Sequence, residues 1–168
     1  MNKFFGIIAV GVLVVLFAIV LSTAPDVSDR WNDIVLPAPT GYVVDTNNSL
    51  SEETEAALTK RITDNKDKAE IAVLTLDSTY PLSIEEYGIK LAEYWKVGDD
   101  VKDDGIIVIL ATKDRKVRVE VGLGMEGVIN DSKAGNIVDT YMLPFLKVSY
   151  WNEGMINGVE GIIKALYE

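Results

Sequence analysis

Residues 106–111, IIVILA, and, after a short polar turn, residues 116–121, KVRVEV, decide the fold class. The first run is apolar at every position, as in a central strand buried on both faces. The second alternates strictly. It turns Val117, Val119 and Val121 toward a core and Lys116, Arg118 and Glu120 toward solvent, the pattern of an antiparallel strand with one wet face. Upstream, residues 71–76, IAVLTL, form another run apolar on both faces. A helix separates it from residues 106–111: Ser83 and Glu86 make a capping box, Ile84, Tyr87, Leu91 and Trp95 share one side, and Gly98 closes it. Strand, helix, strand in that order gives a right-handed parallel βαβ unit.

The flanks complete the pattern. Residues 41–45, GYVVD, read as a short strand. Ser49 or Ser51 caps the next helix, whose stripe is Leu50, Ala57, Leu58 and Ile62; Ser49 with Glu52 fits a capping box. After a loop with Gly122, Gly124 and Gly127, Ser132 caps a helix bearing Ala134, Ile137, Val138, Tyr141, Met142 and Phe145. A last helix carries Trp151, Met155, Val159, Ile162, Ile163 and Leu166. The aromatic residues Trp95, Tyr141, Phe145 and Trp151 fall at helical spacing and read as core. The fold class expected is α/β: a three-layer α/β/α sandwich with a small mixed sheet, preceded by an N-terminal transmembrane or signal helix.

Composition removes whole classes of chemistry. The 168 residues include no Cys and no His. That excludes a Ser-His-Asp triad, a thiolate nucleophile, disulfides and thiolate zinc sites. Carboxylate, hydroxyl, Lys and Arg chemistry remains, and carboxylates favour hard cations such as Ca²⁺ or Mg²⁺. The net charge of −10 argues against nucleic acid, whose binders need a basic patch.

Residues 4–21, FFGIIAVGVLVVLFAIVL, carry no charge and would extend roughly 27 Å as a helix, just enough to cross a bilayer. Lys3 precedes them and Asp26 and Asp29 follow, which orients the rest of the chain outward. Residues 1–24 therefore read as a transmembrane anchor in the lipid bilayer with the domain exported. The alternative is a signal peptide cut after Ala24, giving a secreted protein. Residues 25–40, with Pro25, Pro37 and Pro39, read as an extended linker, with Trp31 and Val35 docking on the domain or the membrane surface. Residues 41–168 form the domain.

Topology sorts the acids into two groups. The loop DDVKDD, residues 99–104, precedes the strand at 106–111, and the hairpin partner returns the stretch GLGMEGVIND, residues 122–131, to the same edge. Converging carboxylates repel unless they splay apart or share a cation. Asp103, Asp104, Glu126 and Asp131 are the expected metal ligands. An EF-hand is excluded, because counting back from Gly105 puts Lys102 at the third loop position. The opposite edge, the carboxyl end of the parallel strands where open α/β sheets usually bind ligands, holds a second set: Asp45, Asp77, Asp114 and Arg115. The G-x-G-x-x-G of Gly122, Gly124 and Gly127 lacks the strand-to-helix context of a dinucleotide site and places Glu126 where a phosphate would lie.

These stretches resemble the TPM domain family, which includes thylakoid-lumen proteins of photosystem II repair and bacterial envelope proteins. The resemblance runs from about Leu36 to Tyr167. Asp103, Asp104 and Gly105 match its D-N-G element, with Asp in the middle. Asp114, Arg115 and Lys116 match D-R-K, and Gly122, Gly124, Glu126 and Gly127 match G-x-G-x-E-G; Asp45 and Asp131 match further acids. The resemblance implies an α/β/α sandwich and, in some members, divalent-cation binding and acid phosphatase activity. Two functions follow as expectations. One is an exported module that binds a Ca²⁺-like ion and assists a membrane protein complex. The other is a metal-dependent phosphatase acting on a small phosphorylated substrate, with the cation polarising a phosphoryl oxygen.

Overall fold

The computed structural model describes residues 34–168. The apolar segment at 4–21, the cleavage point after Ala24 and the docking of Trp31 lie outside the described residues. Among the described residues no helix is long and apolar enough to cross a membrane. Residues 36–168 form one compact unit.

The unit is an α/β fold with a small four-stranded mixed sheet and four helices. In chain order they are β1 (Val43–Asp45), α1 (Glu52–Asp64), β2 (Glu70–Leu76), α2 (Ile84–Trp95), β3 (Gly105–Ala111) and β4 (Lys116–Val121). Helix α3 (Asp131–Ile137) continues through a π-type segment (Val138–Met142) into a last turn (Leu143–Leu146), and α4 (Trp151–Ala165) ends the chain. The sheet order is β1-β2-β3-β4. β1, β2 and β3 are parallel, and β4 is antiparallel to β3.

Register explains the double burial of β2 and β3. Ile71 and Val73 pair with Ile106 and Val108, and Val108 pairs with Val119. With Leu110 these residues share one core with Leu58 and Ile62 of α1, Ile137 of α3, and Met155, Val159 and Ile162 of α4. The alternate residues Leu74, Ile107 and Ile109 are equally buried on the other face, where α2 packs against β3 and β4. Each fully buried Ile or Leu contributes about 1.5–3 kcal/mol relative to exposure.

Four local expectations need correction. The outward face of β4 is only partly open to water: Lys116 is exposed, but α2 lies over Glu120, whose side chain a Cβ on Gly88 would meet. Of the two candidate caps of α1 it is Ser51 that serves, accepting from the Thr54 N–H, so the expected Ser49–Glu52 capping box does not form; the Ser49 N–H is drawn to Asp45. Asn130, not Ser132, caps α3, accepting from the Lys133 N–H. Helix α2 is closed by Lys96 in the left-handed region, with Gly98 (φ +102°) just beyond it. The capping box of Ser83 and Glu86 is present. Val35 is 93% exposed. Pro37 is held by Trp95, whose indole N–H donates to its carbonyl at 2.8 Å.

Candidate functional site: an acidic sheet edge

The acids at the carboxyl end of the parallel strands are engaged within the fold. Asp45 accepts from the Leu50 N–H at 2.7 Å, the Thr75 hydroxyl at 2.5 Å, and the N–H groups of Ser49 and Asn47. Asp77 pairs with Lys113 at 2.5 Å and accepts from the Asn47 amide, and these contacts hold its carboxyl below the usual range. Asp114 accepts from the Ser78 hydroxyl at 2.7 Å and the Thr79 N–H at 2.8 Å. Burial pushes the Asp114 carboxyl up, but those hydrogen bonds together outweigh it and the net shift is downward. Arg115, with φ +54°, turns away and donates to the Lys147 carbonyl. The four residues share an edge, yet Arg115 serves the turn between α3 and α4 rather than Asp45 or Asp77.

The sign for Asp114 is that of a depressed carboxylate. Its stabilising contribution is fully present above the unfolded value of 3.8 and is lost as pH falls through the lower folded value. Asp114→Asn is expected to flatten the slope of stability against pH below about 4, read from urea midpoints at stepped pH. An unchanged slope would show that Asp114 does not couple folding to protons.

At the other end, β3 begins and β4 finishes. The Asp99 carboxylate accepts from the N–H groups of Val101 and Lys102, which holds it below the usual range. Asp104 accepts from the Asp99 N–H at 2.8 Å. Asp103 has φ +50°, and its carboxylate accepts from the Leu123 N–H at 3.0 Å while its carbonyl accepts from Gly124 at 3.1 Å. The acidic loop and the glycine loop therefore meet, and Asp103 is the residue that joins them.

Glu126 and Asp131 sit elsewhere. The 3₁₀ turn Leu123–Met125 carries the chain past the end of β4, so that both line a cavity of about 550 Å³ beside α3. Asp99, Asp100 and Asp103 line a separate cavity of about 670 Å³ beside α2. Asp104 lines neither. Among the described residues no three acidic side chains stand where one ion would touch them all. A tightly held, multidentate ion does not fit this arrangement.

Glu120, read from the sequence as a solvent-facing strand residue, lines both cavities. It pairs with Arg118, whose guanidinium is held above its ordinary value chiefly by the hydrogen bond to Glu120. The sequence signal for its place is Gly88, a small residue on α2 that lets the helix close down on β4.

An α/β module with an acidic loop at one edge of its sheet, and with Asp45, Asp77 and Asp114 bound into the fold at the other, is the class these features define. The family model for the TPM domain matches residues 43–165, and the chain belongs to that family. The chain is similar to the N-terminal domain of a P. gingivalis protein, with 27% identity, a TM-score of 0.70, and coverage of 79% of this chain and 93% of that one. It also shares its fold with the N-terminal domain of the cg2496 protein from Corynebacterium glutamicum (15% identity, TM-score 0.60, covering 78% and 85%). The BA42 protein of the psychrophilic bacterium Bizionia argentinensis has the same fold (19% identity, TM-score 0.55, covering 72% and 83%). No curated protein matches the chain.

Proposed function

We propose that the protein is a non-catalytic, exported TPM domain, built as a three-layer sandwich. It is tethered to the membrane through residues 4–21, and its acidic edge meets divalent cations and a membrane protein complex. The supporting observation is the contrast between the two ends of the sheet. Asp45, Asp77 and Asp114 are tied by donors within the fold, whereas Asp99 and Asp103 accept backbone N–H groups through a single oxygen each and, with Asp100, border an open cavity. A Ca²⁺ or Mg²⁺ ion at this edge keeps most of its water and uses Asp103 with one neighbouring carboxylate.

The test is a calcium titration of the full chain in detergent, followed by calorimetry and thermal unfolding. Affinity is expected near the millimolar range typical of weak extracellular sites, at roughly 10⁻⁴–10⁻³ M. Free Ca²⁺ at ten times the dissociation constant stabilises by about 1.4 kcal/mol. Asp103→Asn should abolish that rise. A melting temperature unmoved by calcium overturns the cation reading. Phosphomonoester turnover that is lost in EDTA would replace the module by a metal-dependent phosphatase.

A further inference from the structure

β4 is the last strand of the sheet, and no strand among the described residues pairs with its outer side. The ladder fixes which peptide groups face outward. Gly122 donates its N–H to the Gly105 carbonyl at 2.8 Å, and the register places Ile106 opposite Val121. Hydrogen-bonded and non-hydrogen-bonded pairs alternate along an antiparallel ladder. Glu120, Arg118 and Lys116 therefore bond inward to β3, and Val117, Val119 and Val121 point their N–H and C=O groups outward. Natural edges of this kind are usually blunted. Here all three charged side chains lie on the α2 face, two of them paired with each other, and the α3 face of the edge is valine.

The space beside this edge is a groove of about 550 Å³, with β4 as its floor. One wall is Glu85 at the start of α2. The other is a stripe of α3 and its continuation at helical spacing: Asp131, Ala134, Gly135, Val138 and Asp139. Gly135 is exposed, and a Cβ there would find no atom within 4 Å. A glycine inside a helix costs about 0.5–1 kcal/mol relative to alanine, and nothing in this fold requires it. It keeps the wall low beside the unpaired strand. Five carboxylates line the groove (Glu85, Glu120, Glu126, Asp131 and Asp139), and the one cation, Arg118, is tied to Glu120.

We infer that β4 takes up an extended, basic segment of a partner protein by strand addition, with Lys or Arg at alternate positions facing the carboxylates. Main-chain pairing to Val117, Val119 and Val121 supplies the affinity, and the carboxylate walls select the charge. A second copy of this chain would bring the same five carboxylates to the groove and is repelled. The chain's own linker, with Asp26, Asp29 and Asp33 against Arg30, has the wrong sign as well. This inference rests on the binding-module reading and names the partner's chemistry.

The experiment uses the full chain in a zwitterionic detergent with three end-blocked nine-residue peptides, alternating valine with lysine, glutamine or glutamate. Amide hydrogen exchange is read residue by residue in EDTA. The lysine peptide is expected to slow exchange at Val117, Val119 and Val121 by about tenfold or more, an effect weakened by salt. Gly135→Trp fills the groove and should remove this protection with the melting temperature unchanged. Equal protection by the glutamate peptide, no protection by any peptide, or persistence in Gly135→Trp overturns the inference. So does protection that rises with protein concentration alone, which gives the edge to a second copy. Asp103→Asn separates the two ideas: it should abolish the calcium response and leave peptide protection intact.

Discussion

Asp45→Ala is expected to destabilise the domain by about 3–5 kcal/mol, because it strands two buried donors at once. The hydroxyl of Thr75, a fully buried residue, and the N–H of Leu50, a residue 7% exposed, both end on this carboxylate, at 2.5 and 2.7 Å. The N–H groups of Asn47 and Ser49, at 3.3 and 3.2 Å, lose their acceptor too. One short side chain thus fixes the turn from β1 into α1 and ties it to β2. Asp45→Asn keeps one acceptor oxygen and should cost about half as much. Urea unfolding in EDTA and in calcium separates this role from ion ligation. A structural carboxylate gives the same loss in both, whereas a ligand gives its loss in calcium only. A loss below about 1 kcal/mol in EDTA would return Asp45 to the ligand candidates.

How much of this was legible in the sequence depends on whether the deciding interaction is local. Residues 106–111 announce a central strand because burial on both faces leaves no polar position, and β3 is that strand. The Ser83 capping box is complete within four residues, and it forms. At Ser49 and Ser51, and again at Asn130 and Ser132, neighbouring polar residues compete for the same cap. In the first case Asp45, outside the helix, settles which one wins. The strict alternation of β4 identified the valine face correctly. Periodicity says which residues share a face, though, and is silent on what covers it. The burial of Glu120 under α2 therefore did not follow from residues 116–121 alone.

The acids follow the same division. Strand order brings the loop at 99–104 to the glycine loop, and Asp103 makes that contact. Carboxylate direction is set by a finer competition. Free N–H groups in a tight acidic loop attract the nearest carboxylate, so Asp99 and Asp104 turn onto their own backbone. The 3₁₀ turn at Leu123–Met125 then carries Glu126 to the far side of the β4 edge. Neither effect has a sequence period, which is why four acids that topology places at one edge do not face a single point.

Gly124→Ala should part the two loops at a cost of about 2–3 kcal/mol, within the range for forcing atoms into a filled space. The missing Cβ points at the Lys102 carbonyl, closer than two such atoms can stand, with the Asp103 carbonyl at 3.0 Å. Both obstacles are backbone, so no side chain can step aside to relieve the clash. The hydrogen bonds that join the loops, Leu123 N–H to the Asp103 carboxylate and Gly124 N–H to its carbonyl, are broken together. Amide exchange at Leu123 and Gly124 should then accelerate by about tenfold or more, and the calcium-dependent rise in melting temperature should vanish with the geometry of Asp103. Gly127→Ala is the matched control. Its Cβ would meet nothing within 4 Å, and an effect within about 0.5 kcal/mol is expected. If Gly124→Ala proves as neutral as Gly127→Ala, the contact between the loops does not hold the acidic edge in place, and the cation assignment built on Asp103 falls with it.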